Sequence, residues 1–123
     1  MALVLLIDDD DVIRQMMRRM LVADGHDVQE AANGKVGVAC YRQQPSDLII
    51  TDIVMPEQEG LETIQQLRRV NPQVKIIAIS GAYSDRVDGY LAMALRFGVR
   101  QVLQKPFSQA ELLAAVAGVL ATR

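Results

Sequence analysis

The sequence predicts an α/β fold in which helices cover both faces of a parallel sheet. Short runs rich in Val, Ile and Leu alternate with stretches whose apolar residues recur every three or four positions. This alternation repeats five times, which is typical of parallel strands joined by helical crossovers. Several runs are almost continuously apolar, as expected for strands whose two faces are both buried.

The predicted strands are the five apolar runs. They span Leu3–Ile7, Val28–Ala31, Leu48–Thr51, Lys75–Ile79 and Arg100–Leu103. The first, third and fourth are the most continuously apolar, so we expect them to be covered on both faces.

The first predicted helix follows the first strand and ends near residues 23–25, where Ala-Asp-Gly supplies a stop. Its apolar positions recur at steps of three and four: Ile13, Met16, Met17, Met20 and Leu21. We therefore expect all three methionines to pack in the core rather than to form a binding groove.

Four further helices are predicted, and all of them have recognisable end signals. The second spans Gly34–Gln44 and ends at Pro45, and the third contains residues 61–68 and ends at Asn71-Pro72. The fourth runs from about Asp88 to Phe97 and closes at Gly98. The fifth opens with the capping-box pattern Ser108-Gln-Ala-Glu111 and continues to about Ala121.

Length and composition indicate one cytoplasmic globular domain over residues 1–123. A net charge of −2 gives no reason to expect binding to nucleic acid or to a membrane. Cys40 is the single cysteine, which excludes an internal disulfide and fits a reducing compartment. The N-terminus has no basic leader, and no apolar run approaches the roughly 20 residues that span a bilayer.

Chemically reactive side chains are concentrated at the carboxyl ends of the predicted strands. These positions hold Asp8–Asp9, Asp52, Ser80 and Lys105. Parallel sheets bind ligands at this edge, so we expect the five residues to lie together. Clustered carboxylates repel one another and favour Mg²⁺, which prefers carboxylates and phosphate oxygens. Lys105 could pair with an anion, Ser80 could donate to it, and Asp52 could accept a phosphoryl group.

The stretch VLLIDDDDV places four like charges, Asp8 to Asp11, directly after the first strand. Such charges need a helix N-terminus, a cation or solvent to offset their repulsion. The residue pattern alone leaves these three explanations open.

Four motifs resemble the signatures of response-regulator receiver domains: LLIDDDD, TDIVMPEQEG, AISGAY and QKPF. The resemblance covers essentially the whole chain. It implies a flavodoxin-like, doubly wound sheet with strand order 2-1-3-4-5 and five helices.

The resemblance also implies a role for each site residue. Asp52 is the implied phosphoacceptor, and the implied Mg²⁺ ligands are Asp9, Asp8 through water, Asp52 and the Val54 carbonyl. Ser80 and Lys105 contact the phosphoryl oxygens. Met55-Pro56 and Gly60 shape the loop after the acceptor, Pro106 follows Lys105 through a cis bond, and Asp10 and Asp11 begin the first helix.

The implied function is a signalling switch. A histidine kinase or histidine phosphotransfer protein donates the phosphoryl group, and an output protein binds the face formed by helix 4, strand 5 and helix 5. His26 lies in what we interpret as an exposed turn, which argues against a phosphodonor role. The chain is expected to be either a stand-alone receiver or part of a longer protein, and either a monomer or a homodimer.

Three features depart from the family pattern. Val102 stands where many receivers carry an aromatic side chain. Residues 81–89 form a slightly long connection into the fourth helix. Val54 and Tyr83 flank the expected path of the attacking water, which predicts slow self-dephosphorylation.

Two other functions are weaker alternatives. A receiver-like module that binds partners without phosphorylation would keep the fold, although all five site residues are present. A small Mg²⁺-dependent aspartyl phosphatase would normally carry an acid two residues after Asp52, where this sequence has Val54.

Overall fold

A computed structural model describes residues 2–53, 59–80, 92 and 94–122 of the chain. The strands are β1 (Leu3–Ile7), β2 (Asp27–Ala31), β3 (Leu48–Asp52), β4 (Ile76–Ser80) and β5 (Gln101–Gln104). The helices are α1 (Asp11–Ala23), α2 (Gly34–Gln43), α3 (Glu59–Val70), α4 (described at residues 92 and 94–96) and α5 (Gln109–Leu120).

The five strands form one parallel sheet in the order β2-β1-β3-β4-β5. The predicted α/β class and the flavodoxin-like strand order are therefore confirmed. Because the order reverses between β1 and β3, the carboxyl ends of these two interior strands border the crevice in which such sheets bind ligands.

The core has two halves, one on each face of the sheet. In β1, Leu5 and Ile7 face the half that α2 and α3 cover, whereas Val4 and Leu6 face the half that α1 and α5 cover. All four side chains are fully buried. The near-continuous apolar runs thus reflect burial on both faces, as predicted.

The helix ends confirm the predicted signals. Asp10 is the N-cap of α1, and its Oδ1 accepts from the amides of Val12 at 2.9 Å and Ile13 at 3.2 Å. Gly25 has a φ of 91°, which glycine adopts without strain. Ser108 and Glu111 form the expected capping box at the start of α5.

Three strands extend one residue further than the apolar runs predict. β3 ends at Asp52, β4 at Ser80 and β5 at Gln104. In the strand register Asp52 pairs with Ile79, and Ser80 pairs with Gln104. Backbone pairing does not require apolar side chains, so hydrophobic pattern alone ends these strands too early.

Two expectations about side-chain burial were wrong. Met17 is buried and Met20 packs against the core, but Met16 is 39% exposed, because it lies about 100° around the helix from Met17. The His26 side chain is only 12% exposed, since its Nδ1 accepts from the amide of Ala2 at 3.3 Å. The His26 side chain is therefore packed beside Ala2, the residue before β1, rather than open to solvent.

Several sequence predictions fall outside the described residues. These are the start of the fourth helix at Asp88, the loop at Met55-Pro56 and the connection over residues 81–89. Within the described part of the chain, no helix is both long and apolar enough to cross a membrane.

Gly60 lets the first turn of α3 approach the end of β3 closely. A Cβ at this position would lie 2.5 Å from the Cα of Ile53 and 2.7 Å from the carbonyl oxygen of Asp52. Both contacts are to backbone, which cannot rotate away. At Gly118 in α5, by contrast, a Cβ would meet no atom within 4 Å.

These two glycines predict opposite effects of the same substitution. Gly60→Ala should lower the free energy of unfolding by about 1–3 kcal/mol, because the helix must move away from β3. Gly118→Ala should raise it by about 0.5–1 kcal/mol, because alanine is the better helix former. Urea unfolding of both variants checks the pair, and equal shifts of the same sign would contradict it.

Candidate functional site

The predicted site residues meet at the carboxyl edge of the sheet. Asp8 and Asp9 follow β1, Asp52 and Ser80 end β3 and β4, and Lys105 follows β5. The Lys105 amide donates to the Ser80 carbonyl at 2.7 Å, which holds the lysine backbone beside β4. The Lys105–Pro106 peptide bond is cis, as expected.

Three carboxylates form the centre of the site. One oxygen each from Asp8, Asp9 and Asp52 can be chosen so that all three lie within 4.8 Å of one another. Asp8 is fully buried and Asp52 is 5% exposed, whereas Asp9 is exposed. The cluster is thus buried on the sheet side and accessible from solvent through Asp9.

Lys105 neutralises part of this charge. Its Nζ lies 3.0 Å from Asp52 Oδ2 and 3.6 Å from Asp8 Oδ2. Burial alone would lower the pKa of the Lys105 ammonium, but the Asp52 and Asp8 carboxylates outweigh it and raise that pKa above its ordinary value. Lys105 therefore stays protonated at physiological pH.

Burial raises the pKa of the Asp8 carboxyl from 3.8 to about 6. The Asp10 amide, which donates to Asp8 Oδ1 at 2.9 Å, and Lys105 oppose the increase, whereas Asp52 and Asp9 add to it. Near neutral pH the folded protein therefore holds a buried carboxylate whose charge Lys105 compensates only in part.

Two buried polar atoms at this edge have no hydrogen-bond partner within the described residues: Asp8 Oδ2 and Ser80 Oγ. Both Asp8 and Ser80 are fully buried. Buried polar groups are normally satisfied, so a partner is expected here. An acid oxygen fits the oxygen preference of Mg²⁺, and a serine hydroxyl can donate to an anion.

Two predicted contributors to the site lie outside the described residues. They are Val54, whose carbonyl is an implied metal ligand, and Tyr83, which is expected to flank the path of the attacking water. Their roles remain predictions.

Arg14 is a neighbour of the site that sequence analysis missed. It stands between apolar positions of α1, which is typical of a solvated residue, but its side chain is only 12% exposed. Its Nη1 donates to the Asp8 carbonyl at 2.6 Å. The sequence signal for this position was Glu30, an acid within the predicted strand β2, because a half-buried acid needs a nearby cation. Glu30 pairs with Arg14.

Replacing Asp8 should stabilise the metal-free protein. The raised folded-state pKa means that the folded state binds the Asp8 proton more tightly than the unfolded state does. The stability of the unaltered protein therefore falls as pH rises from about 4 to about 6 and stays lowered above that range. Asp8→Asn should remove this loss and raise the free energy of unfolding at pH 7 by roughly 2–3 kcal/mol.

Urea unfolding in EDTA between pH 4 and pH 7.5 measures this effect. The two stability curves should converge near pH 4 and separate up to pH 6, and parallel curves would contradict the expectation. Asp27→Asn is the matched control, because Asp27 is the exposed first residue of β2, at the end of the sheet away from the acidic cluster. Mg²⁺ should stabilise the unaltered protein more than Asp8→Asn, because binding to the folded state is coupled to folding.

Comparison with known proteins identifies the fold and the family. The family model "Response regulator receiver domain" matches residues 4–117. Chemotaxis protein CheY of Thermotoga maritima is 31% identical, with 92% of each chain covered. Sensor kinase CckA of Brucella abortus is 34% identical over 97% of this chain, which corresponds to 12% of that protein's length.

Solved structures agree with these sequence matches. Chemotaxis protein CheY4 of Vibrio cholerae superimposes with a TM-score of 0.87 at 30% identity, covering 97% of this chain and 98% of that one. A CheY-like receiver domain protein from Methanospirillum hungatei gives a TM-score of 0.87 at 26% identity, covering 96% and 92%. The chain belongs to the response regulator receiver domains of two-component signalling systems.

Proposed function

We propose that residues 1–123 form a single receiver domain in which Asp52 accepts a phosphoryl group and thereby switches partner binding. The observation that carries the proposal is the contact of Lys105 Nζ with Asp52 Oδ2 at 3.0 Å, beside a cluster of three carboxylates. The site thus combines a nucleophile, a fixed cation and a candidate metal-binding group. Phosphoryl transfer depends mainly on such positioning and charge neutralisation.

In the proposed reaction a carboxylate oxygen of Asp52 attacks the phosphorus of a phosphohistidine. The new O–P bond forms as the N–P bond breaks, and the imidazole leaves with a proton from solvent. Lys105 then pairs with a phosphoryl oxygen instead of the carboxylate. The buried Ser80 hydroxyl, which has no partner among the described residues, donates to another.

Asp8, Asp9 and Asp52, together with the Val54 carbonyl, are the proposed Mg²⁺ ligands. The ion would neutralise charge on the carboxylates and the phosphoryl oxygens. Because Asp9 is exposed, the ion and the phosphodonor can reach the site from the same solvent-facing side.

Receiver domains act between histidine kinases and output domains, and we propose the same position for this chain. The donor is a histidine kinase or histidine phosphotransfer protein. The proposed output surface is the face formed by α4, β5 and α5. At this face Val102 is partly buried and packs against the core. Because valine has no aromatic ring to act as the signal at this position, the proposed output signal is loop movement at Ser80 that remodels the α4 face.

Beryllium fluoride with Mg²⁺, a mimic of the bound phosphoryl group, tests the switch directly. Amide NMR shifts should change at Ser80, at Lys105 and in α4, because new contacts to the mimic select one of two arrangements. Asp52→Asn should show none of these changes. Identical spectra with and without the mimic in the unaltered protein would instead favour a module that works without phosphorylation.

Phosphoaspartate in this domain should be long-lived. Val54 and Tyr83 offer neither an acid nor an amide to orient water, so we expect a half-life of minutes or longer in Mg²⁺. Mass spectrometry after a pulse of acetyl phosphate measures the decay, with Asp52→Asn as the blank. A half-life of seconds would contradict the expectation, whereas Val54→Glu should accelerate the decay because a carboxylate can orient the attacking water.

A further inference from the structure

Hydrogen bonds hold the backbone of Asp8 at both its amide and its carbonyl. Its amide donates to the Ala31 carbonyl at 3.2 Å, and its carbonyl accepts from Arg14 Nη1 at 2.6 Å. Its carboxylate Oδ1 accepts from the Asp10 amide at 2.9 Å. The orientation of this buried acid is therefore determined by hydrogen bonds to β2, to α1 and to the turn between β1 and α1.

Arg14 connects these elements through one planar group. Besides the Asp8 carbonyl, its guanidinium donates from Nε to Glu30 Oε1 at 3.1 Å and from Nη2 to Asp11 Oδ1 at 2.5 Å. The side chain is 12% exposed, and that of Glu30 is 23% exposed. A rigid fork with several donors can hold three acceptors at fixed angles, which a lysine ammonium cannot do in the same geometry.

The other partner of Glu30 provides an internal comparison. Arg18 Nη1 lies 2.5 Å from Glu30 Oε2, but the Arg18 side chain is 51% exposed. Within the described part of the chain, Arg18 makes no hydrogen bond or ion pair with Asp8. Arg18 and Arg14 thus share an acid and a helix. They differ in that only Arg14 is bonded to the backbone of the acidic cluster.

We propose that Arg14 is a positioning residue for the metal site: by holding the Asp8 carbonyl, it orients the carboxylates of Asp8 and Asp9 for Mg²⁺. This inference rests on the proposed function, since it assumes that Mg²⁺ binds the cluster. Arg14 touches neither the ion nor the phosphoryl group in this scheme. It acts through the backbone of the turn that carries two of the ligands.

The sign of the effect separates positioning from simple charge. Arg14 is a cation near a site for a dication, so its Coulomb contribution opposes Mg²⁺ binding. Removing the charge should therefore strengthen binding if charge alone matters. Removing the positioning hydrogen bonds should weaken it, and groups that orient metal ligands typically account for about 10-fold or more in affinity.

The test is the Mg²⁺ dissociation constant of the full chain, measured by calorimetry and by amide shifts of residues 9 and 10. Arg14→Gln should bind Mg²⁺ about 10-fold more weakly than the unaltered protein. Arg18→Gln, which also removes one cation and one bond to Glu30, should stay within about twofold of it. Unfolding in EDTA records the stability of each variant separately from its metal affinity.

Arg14→Lys keeps the charge and guards against a variant that fails to fold. It should also bind Mg²⁺ more weakly, because an ammonium cannot make the three contacts together. Three results would each overturn the proposal. The first is unchanged or tighter Mg²⁺ binding in Arg14→Gln, and the second is an equal loss of affinity in Arg14→Gln and Arg18→Gln. The third is full Mg²⁺ affinity in Arg14→Lys. If the unaltered protein binds no Mg²⁺, the metal site of the proposed function fails as well.

Discussion

Repulsion between Asp8, Asp9 and Asp52 is the constraint on which the rest of this structure depends. Chain connectivity brings the three acids together from two strand ends, and the folded protein must keep them there against their mutual repulsion. Lys105 contributes one positive charge within reach of Asp8 and Asp52, which leaves the cluster negative. That uncompensated charge makes the site attractive to a divalent cation and destabilises the protein without one.

The sheet supplies the rigidity that this arrangement requires. The strands that carry the acids, β1 and β3, are interior strands of the sheet, and both have neighbours on each side. Their apolar residues are buried in two core halves, so the strand ends cannot separate without exposing the core. Gly60 adds a close backbone contact at the end of β3. The energy of apolar burial thus offsets the electrostatic strain at one edge.

Much of the fold could be predicted from sequence, because strand periodicity, helix caps and the order of apolar runs are local signals. The site positions followed from the rule that strand ends converge, and the strand order came from the family resemblance. Sequence placed the ends of β3 and β4 one residue early, because Asp52 and Ser80 are polar yet remain paired. The orientation of Arg14 and the burial of His26 depend on contacts between distant segments, which periodicity does not encode.

Because Glu30 lies in β2, it also affects how molecules of this chain associate with one another. β2 is an outer strand of the sheet, and outer strands can pair with strands of other chains unless something blocks them. This strand carries Asp27 and Glu30, and the side chains of Arg14 and Arg18 converge on Glu30. The resulting charged border disfavours the approach of a second strand. The arginine that is hydrogen-bonded to the acidic cluster thus also helps this chain to resist edge-to-edge strand pairing at high concentration.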